Sequence, residues 1–133
     1  MVENEMCPCG ASAPYDSCCR RFHSGLTLPE TAEQLMRSRY SAYVKQDVSY
    51  LRVTLWPQYQ KSFNELGTLL RARDSRWLGL EIIASDRGQV TDKEGSVVFV
   101  ARSVVNGVAH EQREKSLFRK KGRQWYYVKA LSE

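Results

Sequence analysis

All four cysteines of the chain, Cys7, Cys9, Cys18 and Cys19, fall within 13 residues in the pattern C-x-C-x₈-C-C. Two close thiolates on one turn facing two on another meet the tetrahedral preference of Zn²⁺, which takes sulfur ligands at about 2.3 Å. Gly10 lets the backbone turn sharply after Cys9, and Pro8 and Pro14 stiffen the loop. Four protein ligands leave no position for water or substrate, so the expected cofactor is one structural Zn²⁺. The competing arrangement is a pair of disulfides. One of its three pairings demands a strained bond between Cys18 and Cys19, and the other two need an oxidising compartment. The start of the chain carries Glu3 and Glu5 in place of a basic, apolar leader, and no apolar run approaches the ~20 residues of a bilayer span. The expectation is a cytoplasmic protein with reduced thiols and no membrane partner.

A second constellation lies toward the C-terminus. Glu114 and His110 fall four residues apart on one face of a predicted strand, with Ser116 and Tyr127 near them, a set suited to acid/base work on one small ligand. Phe99, Phe118 and Trp125 supply aromatic walls, and Arg39 or Arg37 from a preceding helix could neutralise Glu114. Polar groups set among aromatics on one sheet face point to a pocket, since ligand sites are apolar with a few placed polar groups.

The elements that would carry these residues read in two blocks. Thr31 and Gln34 form a capping box, and Ala32, Leu35, Met36, Arg39, Tyr40 and Tyr43 recur at helical spacing to about Gln46. A short helix is expected at 49–54, and Ser62 with Glu65 predicts the cap of another ending near Arg73. From Arg76 the period changes to two, with strands expected at 77–86, 96–105, 108–119 and 124–130. Asn106-Gly107 suits a type I′ hairpin turn and sets Ser103 opposite His110, Arg102 opposite Glu111 and Phe99 opposite Glu114. Lys121-Gly122 would place Phe118 against Trp125 and Ser116 against Tyr127. Helices followed by an antiparallel meander define an α+β class. The chain divides at Leu28-Pro29 into a knuckle, 1–28, and a larger domain, 29–133.

The net charge of +5 is uneven, −1 over residues 1–28 and +6 over the rest; four thiolates on one divalent ion lower the total to +3. That balance favours solubility and weak attraction to polyanions without specifying a partner. Arg20 and Arg21, directly after Cys19, suit an acidic or phosphate-bearing partner, or offset the charge of a zinc–thiolate centre. Arg119, Lys120, Lys121 and Arg123 at a hairpin tip read as a solvated turn, with RNA contact the minor alternative. His23 reads as an exposed linker residue, since a fifth ligand exceeds what tetrahedral zinc needs.

The cysteine pattern resembles the SEC-C motif, the zinc knuckle at the C-terminus of the SecA translocation ATPase that there contacts SecB and ribosomes. Its usual Cys-Gly-Ser-Gly centre is here Cys9-Gly10-Ala11-Ser12. The run from Thr31 to Tyr40, Trp77-Leu78-Gly79-Leu80-Glu81-Ile82, Glu114 to Phe118 and Gly122 to Val128 are similar to the bacterial YchJ family. That resemblance implies a nuclear-transport-factor-2-like fold, a curved antiparallel sheet cupped by N-terminal helices, and implies no named reaction. Two departures follow. Thr54-Leu55-Trp56-Pro57 lacks the histidine common at that block, and the absence of cysteine after Cys19 gives an expectation of one zinc, not two. The leading functional expectation is a module that binds a protein or the ribosome through the knuckle. The alternative is a small-molecule receptor or enzyme using the sheet pocket.

Overall fold

The structure, a computed structural model, describes residues 5–131, so Glu3, used above in reading the start of the chain, lies outside it. Residues 5–15 form a small hairpin. The amide of Cys7 donates to the carbonyl of Ala13 and that of Tyr15 to Glu5, each at 2.8 Å. Gly10 (φ 82°) and Ser12 (φ 60°) make the reversal in the left-handed region. A 3₁₀ turn, Tyr15–Ser17, and a four-residue helix α1, Arg20–His23, complete the knuckle.

The long helix α2 spans Ala32–Lys45, with Thr31 Oγ1 accepting from the Gln34 amide as expected. The reciprocal half of the capping box is displaced by one residue. Gln34 Oε1 takes the amide of Glu30 in place of that of the N-cap Thr31, while the amide of Ala32 is donated to Gly88 across the domain. Helix α3 follows at Val48–Val53, and α4 at Glu65–Asp74. The cap of α4 is not Ser62, whose hydroxyl donates to Tyr59 within a 3₁₀ turn. Asn64 fills that place, its Oδ1 accepting from the Gly67 amide at 2.9 Å. An Asn amide oxygen does the same capping work as a Ser hydroxyl, and it stands directly before the first helical residue.

Four strands, β1 Ser75–Arg87, β2 Glu94–Val105, β3 Val108–Lys121 and β4 Gln124–Leu131, form one antiparallel sheet in chain order. The β2–β3 register matches the expected pairs, Ser103 with His110, Arg102 with Glu111 and Phe99 with Glu114. The β3–β4 hairpin differs. Lys121 pairs with Gln124 and Lys120 with Trp125, so the turn centres on Gly122-Arg123 and not on Lys121-Gly122. Only Gly122 of that pair has a positive φ, 65°, the pattern of a type II′ turn that needs glycine at its first central position. A bulge at Leu117/Phe118 then leaves Ser116 opposite Ala130, while Tyr127 pairs with Phe118. Irregularities at Trp77/Gly79 and Ile82/Ala84 bend β1, as bulges do.

The inner sheet face packs on α2. Leu35, Val97, Phe118 and Trp125 are fully buried there with Ala32, Met36, Tyr40 and Phe99. A second cluster on another side of α2 joins Phe22 of the knuckle to Ala42, Tyr50 and Leu51. The opposite sheet face is polar where Arg102 bridges Glu81 and Glu111. No helix among the described residues is long and apolar enough to cross a membrane.

Candidate metal centre and sheet cavity

The hairpin delivers Cys7 and Cys9, and the turn between the 3₁₀ segment and α1 delivers Cys18 and Cys19. Their four sulfur atoms lie within 4.8 Å of one another. A tetrahedron with metal–sulfur bonds of about 2.3 Å has edges of about 3.8 Å, so the set fits one ion with small adjustments. The Cys9–Cys18 pair already stands at 3.6 Å, and all four thiols are free. Cys7, Cys9 and Cys19 are buried and Cys18 is half-buried. Such close thiols cannot all ionise by themselves. Burial first, then the charge of Cys9, push the Cys18 thiol up to about 12. Hydrogen bonds to Cys7 and Cys9 push Cys19 up, while those from Cys19 and Cys9 hold Cys7 far below its ordinary value. A dication at the centre removes this conflict, because it favours all four thiolates together. Sulfur-rich, closed and part-buried, the donor set fits a structural metal.

Helix α2 supports the cluster with residues that sequence reasoning missed. Ser41 Oγ lies 3.5 Å from Cys7 Sγ, and Arg37 Nη1 donates to the carbonyl of Cys9 at 2.6 Å. Arg37 thus serves the knuckle and its ion pair with Glu33, and is not a partner of Glu114. Ser38 and Ser41, small residues three apart on one side of the amphipathic helix and fully buried, were the available signal that something approaches α2 closely there. His23 is no exposed linker. Its Nε2 lies 2.8 Å from the carbonyl of Ser38, its Nδ1 lies 2.7 Å from Tyr15 Oη, and its ring packs on Tyr50. The carbonyl only accepts, so Nε2 carries the proton and Nδ1 accepts from the tyrosine. Arg20 pairs with Asp16 at the surface, while Arg21 donates to the carbonyl of Cys18 and covers the Phe22 ring. At the β3–β4 tip, Arg119 pairs with Glu94 and Lys120 lies over the Trp125 ring.

Between α2 and the sheet lies a cavity of about 130 Å³. Of the residues singled out from sequence, Arg39, Phe99, Glu114, Ser116 and Tyr127 line it. The other three do not. Phe118 and Trp125 are wholly buried, the latter with its indole N–H on the carbonyl of Glu30. His110 is exposed and lines a neighbouring concavity with Ser103 and Asp74. Four residues along a strand span about 13 Å, too far for His110 and Glu114 to share a hydrogen bond. Glu114 accepts from Ser116 Oγ at 2.7 Å and from Gln112 Nε2 at 3.2 Å, with Tyr127 Oη at 3.5 Å. Burial, then the charge of Glu114, push Tyr127 up to about 12, so its hydroxyl stays protonated and donates. Arg39 is not ion-paired with Glu114. Its Nη1 donates to the Leu51 carbonyl and to Thr54 Oγ1, and its guanidinium lies 4.8 Å from the Tyr127 ring centre. Tyr40, Tyr43, Trp77 and Arg71, which sequence reasoning did not assign to a pocket, also line it, with Met36, Ala101 and Gln112. Tyr43 follows Met36 and Arg39 along α2 at the helical spacing already assigned to the core.

A four-cysteine SEC-C-type knuckle docked on a helix-backed antiparallel sheet defines a class, that of NTF2-like proteins carrying a SEC-C motif. The fold is similar to the solution structure of a SEC-C motif containing protein from Rhodopseudomonas palustris, with TM-score 0.87 and 30% identity over 96% of this chain and 98% of that one. It is also similar to the crystal structure of a SEC-C motif containing protein from Psychrobacter arcticus, with TM-score 0.83 and 27% identity over 99% and 86% of the two chains. The chain belongs to the YchJ family: the family model of the YchJ middle NTF2-like domain matches residues 31–130. It is 48% identical over 112 residues to a UPF0225 protein of Ralstonia nicotianae, covering 84% of this chain and 75% of that protein. A UPF0225 protein of Geobacter sulfurreducens is 39% identical over 123 residues, covering 92% and 76%.

Proposed function

We propose that Cys7, Cys9, Cys18 and Cys19 hold one structural Zn²⁺, and that residues 1–28 form a zinc knuckle through which the protein docks on a protein partner or the ribosome. Residues 29–133 then act as the scaffold that presents it. The closed four-sulfur set carries this reading, since it leaves the ion no open position for substrate. Metal in such small units contributes roughly 10–16 kcal/mol of folding free energy, so its role here is to hold a shape. The side chains that bind the knuckle to α2 come from Glu5, Cys7, Tyr15, Phe22 and His23, whereas Ala11, Ser12, Asp16, Ser17 and Arg20 are exposed. Exposed ion pairs such as Arg20–Asp16 contribute little, so Arg20 is available to an acidic or phosphate-bearing partner. Arg21 supports it from the knuckle side. Sedimentation of the full chain with ribosomes through a sucrose cushion, together with protein cross-linking, tests the docking. The wild type and Glu114→Gln should associate and Cys18→Ser should not; equal behaviour of all three contradicts the reading.

A second reading rests on the cavity, where a half-buried carboxylate and a buried guanidinium share a wall with aromatic rings. It makes the sheet domain a small-ligand receptor or enzyme built on Glu114 and Arg39, without His110. Retention of a small molecule through purification, lost on Glu114→Gln and kept on Cys18→Ser, supports it.

A further inference from the structure

We propose that the sheet cavity binds a short carboxylic acid with a hydrogen-bond donor beside its carboxylate, an α-hydroxy or α-amino acid; the assignment rests on the small-ligand reading and specifies its ligand class. Arg39 is only 8% exposed, and its hydrogen bonds to protein all leave from Nη1. Among the described residues no fully buried side-chain nitrogen or oxygen lacks a partner. The remaining guanidinium nitrogens, Nε and Nη2, therefore reach open space, and the open space Arg39 lines is this cavity. A guanidinium so placed has lost most of its hydration, and burial pulls its pKa down. No carboxylate of the described residues makes an ion pair with it. An entering carboxylate would supply the missing charge and accept two parallel N–H bonds in the geometry Arg favours.

The rest of the wall narrows the choice. Arg39 and Arg71 oppose one carboxylate, Glu114, so the lining carries a net positive charge and an ammonium alone is not the expected guest, aromatic rings notwithstanding. Glu114 repels a second anionic group and invites a donor. Ser116, Gln112 and Tyr127 hold it at the wall, and a hydroxyl or amino group next to the bound carboxylate meets that demand. Size excludes most cofactors. At about 130 Å³ the cavity falls below the roughly 300–1,000 Å³ of drug-sized pockets and near the about 150 Å³ that admits benzene, so the ligand has about six non-hydrogen atoms.

The test titrates the ¹⁵N-labelled full chain with lactate, alanine, acetate, propylamine and the neutral lactamide, following the Trp77 indole N–H and the Arg39 Nε–H by NMR. Lactate or alanine should produce saturable shifts at both signals. Acetate should bind about tenfold more weakly, the worth of one hydrogen bond to a charged group. Propylamine and lactamide should leave both signals in place, and Glu114→Gln should bring lactate down to the level of acetate. Arg39→Gln should abolish binding. Should that variant not fold, Arg39→Lys, which keeps the charge but not the fork, should weaken it. Lactamide shifting the signals as strongly as lactate, or Glu114→Gln without effect, overturns the ligand class while leaving a ligand site. Silence with all five probes overturns both.

Discussion

His23 connects the knuckle to α2 through the Ser38 carbonyl on one side and Tyr15 on the other. It is not among the four sulfur ligands, so its loss should weaken docking of the knuckle without removing metal. His23→Ala is expected to cost about 1–3 kcal/mol, the range for orphaning buried partners, as a lowered urea midpoint with unchanged metal content. Metal lost together with His23 would make it a ligand after all. At this scale the sequence was informative where chemistry constrains residue type and uninformative where a side chain only meets a distant backbone atom. The thiol cluster could be read from spacing. Arg37 reaching Cys9, or His23 reaching Ser38, could not, because the contact depends on how two elements dock.

Turn residues governed how well the elements could be read. Asn106 (φ 51°) and Gly107 (φ 78°) both occupy the left-handed region, so the Asn-Gly signal fixed the β2–β3 register and the turn-side strand ends to the residue, while each strand runs two residues further at its far end. Gly122-Arg123 is a weaker signature, and placing that turn one residue early displaced the β3–β4 register by two, while a bulge that no residue announces displaced it again. Two glycines separate backbone strain from crowding. A Cβ at Gly107 meets nothing within 4 Å, so Gly107→Val should cost roughly 1–2 kcal/mol through the positive φ alone. A Cβ at Gly95 would overlap the backbone of Gly88, where β1 and β2 meet below the start of α2. Gly95→Ala should therefore cost about 1–3 kcal/mol by overpacking, despite being the smaller change. Urea denaturation of both variants checks the pair, and a neutral Gly95→Ala contradicts the close approach. The serine-based cap of α4 failed for a related reason: Ser62 and Asn64 are both good caps, and the 3₁₀ turn at Pro57–Ser62 decides between them.

The molecule as a whole is built around α2, which faces the sheet core on one side and both the knuckle and α3 on others. Phe118, Trp125, Leu35 and Val97 belong to a cluster separate from the cysteines, whereas among the described residues the apolar packing of the knuckle consists of the thiols, Tyr15 and Phe22. Removing metal with a chelator under reducing conditions should therefore release residues around the hairpin and α1, lower the thermal midpoint and leave most of the far-ultraviolet circular dichroism. Hydrogen exchange should rise in the knuckle and on the Phe22 side of α3, and stay slow in β2 and β3. Complete loss of secondary structure would show that the sheet domain cannot stand without the knuckle. The fold class was legible because helical and strand periodicities occupy separate blocks of the chain; the cavity was legible only in part, because the same strand face serves core and wall. The central claim is that four sulfurs close around one zinc ion. Native mass spectrometry of reduced protein, paired with thiol alkylation, tests it most directly. The expected result is one zinc per chain and four thiols that resist alkylation until chelator is added. Metal-free protein whose thiols all react at once, or cysteines bonded to one another, would contradict it.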